Sequence, residues 1–115
     1  MNYYNKISNC KYIVKQIKDL GIDDKYLGFY FIVSIENMLL NEDNEIKSFY
    51  KDVYPRIAKL YDKNECTIER DIRHLINQLW LDGDKFKIYR LCAGRKPSCC
   101  KFIYIIKNYL IKQIA

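Results

Sequence analysis

Apolar positions recur at helical spacing along most of this chain. Ile7, Cys10, Ile13, Val14, Ile17 and Leu20 fall together on one helix over residues 3–20. Gly21 ends that helix, and the acids at 23 and 24 supply a cap for the next, over about residues 24–40. The second segment is apolar almost all round, which predicts a central place in the core. Residues 41–44 read as a polar loop, and residues 45–52 as a short helix with Ile46, Phe49 and Tyr50 turned inward.

Pro55 suits the first turn of a further helix, where its missing N–H costs little. That helix, residues 55–61, buries Ile57, Ala58 and Tyr61. Residues 62–64 form a turn. Asn64 then caps a long helix that carries Glu65 in its first turn and runs to about Leu81, stopping at Asp82-Gly83-Asp84. Residues 85–97 fit either an irregular loop or a small hairpin. Pro97-Ser98 precedes a last helix, residues 99–113, with Phe102, Ile103, Ile106, Leu110 and Ile114 at helical spacing. The fold class is all-α or nearly so, in a single domain over residues 1–115.

The stretch 54–80 is the most informative. A short helix, a tight turn and a longer helix have the layout of a helix-turn-helix over about residues 55–81, whose second helix enters the DNA major groove. With Ile68 at the zero of a wheel that advances about 100° per residue, Ile72, Leu75, Ile76 and Leu79 share one apolar sector. Cys66, Thr67, Arg70, Arg73, His74 and Asn77 lie opposite, with Glu69 beside them. Arg can bond guanine O6 and N7 with both arms of its fork, and Asn can do the same to adenine N6 and N7. Glu69 can accept from a cytosine amino group, or orient Arg70 or Arg73. An ordinary solvated face would instead use Glu69 and Arg73 as a stabilising i,i+4 pair. The short helix and turn just before this one favour DNA.

Charge supports a polyanionic partner. The net +6 is carried after Asp84, where residues 85–115 hold eight basic side chains and no acid. Apolar and aromatic residues make up 50% and charged residues 30%, which excludes a disordered tail. The apolar runs 26–35 and 102–106 are too short for a membrane span of ~20 residues, and no leader-like block opens the chain, so a cytoplasmic protein is expected. The cysteines at 10, 66, 92, 99 and 100 contain no Cys-x-x-Cys, and His74 is the single histidine, so no metal site is expected. Cys99-Cys100 is a vicinal pair poorly shaped for a disulfide, and reduced thiols are the default. No nucleophile–base spacing is present, so neither catalytic residues nor a cofactor is expected.

These residues carry a resemblance. Leu20-Gly21-Ile22 with Gly28-Phe29-Tyr30-Phe31-Ile32, Tyr54-Pro55-Arg56-Ile57-Ala58-Lys59, and Ile68-Glu69-Arg70-Asp71-Ile72-Arg73-His74-Leu75-Ile76 followed by Trp80 are similar to runs of one family. So is Lys96-Pro97-Ser98 with Phe102-Ile103. The chain resembles the C-terminal DNA-binding effector domain of the sporulation response regulator Spo0A over nearly its whole length. That resemblance implies about six helices around the helix-turn-helix, and binding to double-stranded promoter DNA as paired or tandem domains. Glu69, Arg70 and Arg73 would be major-groove residues, and Lys96 and Ser98 phosphate contacts.

The departures matter too. Cys66-Thr67 stands where the family has Ser-Arg, Val33 where it has Arg, and Lys101 where it has an acid. Thr67 cannot make a bidentate guanine contact, so a different or relaxed site preference is expected. The segment between Trp80 and Lys96 is shorter than usual. In the family, that region and the last helix are associated with contacts to RNA polymerase and between neighbouring domains. If this is the complete chain, no receiver domain precedes the helices, and switching by phosphorylation in the usual way is not expected. The leading expectation is a sequence-specific double-stranded DNA-binding transcription regulator. The alternative is an interaction module or antagonist that pairs with a full-length relative and binds specific DNA weakly.

Overall fold

Seven α-helices account for most of residues 3–41, 49–82 and 86–114, the parts described by a computed structural model. They are α1 (Tyr3–Ile7), α2 (Lys11–Asp19), α3 (Leu27–Asn41), α4 (Tyr54–Tyr61), α5 (Glu65–Asp82), α6 (Lys87–Leu91) and α7 (Cys99–Ile114). A π-helical turn, Phe49–Val53, leads into α4. The fold is all-α.

The central helix is where the hydrophobic pattern places it. α3 packs against α1, α2, α4, α5 and α7. Phe29, Phe31, Ile32, Val33 and Ile35 are fully buried along it. Burial of each such side chain contributes roughly 1.5–3 kcal/mol relative to exposure. Tyr3 of α1 lies against Tyr30 and Phe31 of α3 and stacks on Tyr61 of α4 at 5.6 Å. The Tyr61 hydroxyl shares a 2.6 Å hydrogen bond with Ser34 Oγ and donates to the Tyr30 carbonyl at 3.0 Å. Its phenol is pushed up to about 12, chiefly by burial.

Two features of α3 bear on the rest of the molecule. At Gly28 the helix crosses α5 so closely that a Cβ would come within 2.6 Å of the Asp71 carbonyl oxygen. Glycine is required there by contact with backbone, which cannot swing aside. Farther along, Glu36 is fully buried, and neither carboxylate oxygen has a hydrogen-bond partner. Burial raises its carboxyl well above the usual carboxylate range, and the positive charge of Lys107 on α7 opposes that only in part.

Three helices end in the same way. A residue just past the helix takes a left-handed conformation, and its own N–H and that of the next residue turn back onto carbonyls of the last turn. After α2 it is Gly21, at φ 97°, with Gly21 N–H on Lys18 O and Ile22 N–H on Ile17 O. After α4 it is Asp62, at φ 54°, and after α6 it is Ala93, at φ 53°. A residue with a Cβ costs about 1–2 kcal/mol more than glycine in this conformation.

Several expectations need correction. Residues 3–20 are two helices, with a turn at 8–10 in which Cys10 N–H bonds Ile7 O and Ser8 Oγ bonds Asn5 O. Polar side chains that bond local backbone compete with helix, and here the break lets Tyr3 reach the aromatic cluster. The central helix starts at Leu27 rather than Asp24, because Asp23 Oδ1 holds the Lys25 N–H at 2.8 Å in a turn of its own. Residues 85–97 are neither loop nor hairpin throughout, since α6 forms within them, tied to the N-terminal half by Ile88 N–H on Leu20 O. The last helix runs to Ile114, one residue past the expected end, and Ile114 is 63% exposed there. The loop at 41–44 and the short helix over 45–52 fall largely outside the described residues. Of the latter, only the π-helical turn from Phe49 is described.

Candidate nucleic-acid interface

α4, the turn at 62–64 and α5 form a helix-turn-helix. Pro55 sits in the first turn of α4, and Tyr54, Ile57, Ala58 and Tyr61 are its buried side. The turn closes through Asp62 N–H on Lys59 O and Lys63 N–H on Ala58 O. Asn64 caps α5, its Oδ1 accepting the Thr67 N–H at 2.8 Å.

α5 is divided along its length. Ile68, Ile72, Leu75, Ile76 and Leu79 are buried against α3, α4 and α7. These are the five positions of the apolar sector on the wheel. Cys66, Arg70, Arg73 and His74 are exposed, while Thr67, Glu69 and Asn77 are half-buried.

The exposed cations are engaged within their own helix. Arg73 Nη1 donates to Glu69 Oε1 at 3.3 Å. Arg70 Nε lies 3.5 Å from Asp71 Oδ1. His74 stands edge-on to the Tyr26 ring at 5.9 Å, and Lys25 lies over that same ring at 5.2 Å. Asn77 Oδ1 is buried and has no hydrogen-bond partner.

The start of α7 comes alongside this face. Glu69, Arg73 and Asn77 share a cleft of about 320 Å³ with Lys96, Ser98 and Cys99. Ser98 Oγ accepts the Lys101 N–H at 3.2 Å and so caps α7. Lys96 and Ser98 form a ridge, with a second cleft beyond it lined by Arg95 and Lys101. Of the eight residues singled out from the sequence, Glu69, Arg73, Asn77, Lys96 and Ser98 converge on the first cleft. Thr67, Arg70 and His74 do not line it.

Both residues of the cysteine pair line this cleft. The Cys99 thiol donates to the Glu69 carbonyl at 3.8 Å. Burial pushes Cys99 up to about 11 and raises Cys100 as well. Both stay as thiols at neutral pH, the unreactive form. Val33 is fully buried, so it belongs to the core and not to this surface.

Pattern reading missed Asp71 and the Lys25–Tyr26 contact. Neither has a periodic signal. Asp71 is the sequence neighbour of Arg70, not its i,i+4 partner, and Lys25–Tyr26 reaches His74 only through the packing of α3 on α5. Among the described residues no group of three or more His, Cys, Asp or Glu converges to hold a metal ion, and no helix is long and apolar enough to cross a membrane.

The all-α fold and its helix-turn-helix are consistent with one comparison. Residues 13–110 match the family model described as sporulation initiation factor Spo0A C terminal, and the chain belongs to that family.

Proposed function

We propose that this domain is a sequence-specific double-stranded DNA-binding transcription regulator, with α5 laid in the major groove. The observation that carries this is the division of α5. Its buried stripe fixes the helix on the core, two guanidinium groups and an imidazole are exposed, and the half-buried Asn77 amide lies beside them. Arg70 and Arg73 are the guanine readers, Asn77 and His74 supply further hydrogen bonds, and Glu69 accepts from a cytosine amino group. Thr67 lies at the entering end of the helix and contributes a single hydroxyl. Lys96 and Ser98, beside the start of α7, hold a phosphate of the flanking backbone.

A single domain of this size touches few base pairs, so two copies pair or line up on their target. The basic C-terminal third adds sequence-independent affinity. Contact with RNA polymerase through the region after Trp80 belongs to the same proposal.

The test is duplex selection from a random pool, followed by gel shift of the enriched sequence at two salt concentrations. One motif should emerge, and changing Arg70 and Arg73 together to Ala should abolish specific binding. Each lost bidentate contact is worth about 1–3 kcal/mol. Retention of full binding by the double variant would remove α5 from the interface. A stable complex with a full-length relative, with no motif selected, would favour the antagonist instead.

A further inference from the structure

Arg70 is held in an unusual way. Adjacent residues on a helix point about 100° apart and do not ordinarily face each other. Yet Arg70 Nε lies 3.5 Å from Asp71 Oδ1, so the arginine stem bends back toward the edge where α5 meets α3. The two partners differ in freedom. The Asp71 side chain is 17% exposed, its Oδ2 is buried without a hydrogen-bond partner, and its carbonyl is pressed against Gly28. The Arg70 side chain is 66% exposed. The carboxylate is thus a fixed charge in the α3–α5 seam, and the guanidinium is the part that can move.

The other guanidinium is held differently. Glu69 and Arg73 are one helical turn apart, and their contact keeps Arg73 over the exposed face, beside the cleft at the start of α7. The Asp71 contact draws Arg70 off that face. Nε is the nitrogen nearest the stem, so a contact there turns the whole fork.

We propose, on the footing of the DNA-binding function above, that Asp71 is a specificity-determining residue that acts through Arg70. In the free protein it latches Arg70 along the α3 edge of α5. Binding a duplex requires Arg70 to leave the carboxylate, so the base pair read by Arg70 weighs less in recognition than the one read by Arg73. Asp71 touches no base. It sets how much of the Arg70 contact is realised.

The experiment compares wild type, Asp71→Asn, Arg70→Ala and the double variant Arg70→Ala/Asp71→Asn, by fluorescence anisotropy on the selected duplex at low salt. Asparagine keeps the shape and removes the charge; Asp71→Ser serves if Asp71→Asn does not fold. Asp71→Asn should tighten binding about two- to fivefold, the range of one partly exposed ion pair. It should sharpen selection at one base pair, and its effect should vanish in the Arg70→Ala background. In the protein without DNA, the Arg70 Nε–H resonance should shift on Asp71→Asn, while that of Arg73 should not. Equal tightening in both backgrounds would show a general charge effect and overturn the latch. So would unchanged affinity, or an unmoved Arg70 resonance. If no variant and no wild type binds any duplex while the Arg70 resonance still shifts, the DNA-binding function falls and takes the specificity role with it, leaving the ion pair alone.

Discussion

α3 and α5 lie against each other and use their circumferences in opposite ways. α3 buries ten of its 15 residues, including a carboxylate, and is enclosed by five other helices. α5 is longer, at 18 residues, and buries only five of them. The contrast separates two duties. α3 holds the helices together and has little surface to offer. α5 spends one narrow stripe on stability and leaves the rest of its circumference exposed or half-buried, the face proposed above for DNA. A substitution should therefore be felt in folding on α3 and in binding on the exposed face of α5.

Three measurements would break or sharpen that contrast. The largest effect belongs to α3. Phe31→Ala should cost about 3–5 kcal/mol in urea unfolding, because the surrounding aromatic cluster cannot close over the cavity. A loss near zero would mean that α3 is not the centre of the core.

The second effect has the opposite sign. Glu36→Leu should stabilise the fold by about 1–3 kcal/mol at neutral pH, since a buried carboxyl with no hydrogen-bond partner is replaced by an apolar side chain. The pH dependence checks the cause. The native carboxyl holds its proton more tightly than the unfolded one, so its favourable contribution is complete below the ordinary carboxylate range. That contribution is lost as pH rises toward the elevated native value. The gain from Glu36→Leu should accordingly be small in acid and grow toward neutral pH. Asp24, whose carboxyl is lowered first by a hydrogen bond from Tyr4 and then by Lys18, works in the reverse direction but is present in both proteins and cancels.

The smallest effect belongs to α5. Arg73→Ala should change stability by less than about 0.5 kcal/mol, since its i,i+4 pair with Glu69 is more than half exposed on the arginine side. A loss of several kcal/mol would show that the exposed face is part of the scaffold, and the contrast would collapse.

The parts legible in the sequence were those governed by local periodicity and capping. The stripe of α5, the Asn64 cap, the stop at Gly21 and the enclosed character of α3 all follow from spacing and residue chemistry. The family likeness could be read from the same runs. Illegible were the features settled by contacts distant along the chain. The turn at 8–10 depends on where Tyr3 packs. α6 depends on Ile88 reaching the Leu20 carbonyl and on Phe86 lying over Gly21. The site was half legible for the same reason. The wheel found the exposed side chains of α5, but the cleft with Lys96 and Ser98 exists only because α7 begins beside Arg73.

The seat of α5 on α3 at Gly28 is backbone against backbone. Nothing in that contact depends on which side chains α5 shows to the outside. The aim of the helix and the identity of its outer residues are therefore inherited separately. A lineage carrying this joint can exchange one outer residue at a time, as at Thr67, and explore new partners without passing through unfolded intermediates. The same separation makes the joint a ready chassis for grafting the outer face of one relative onto another.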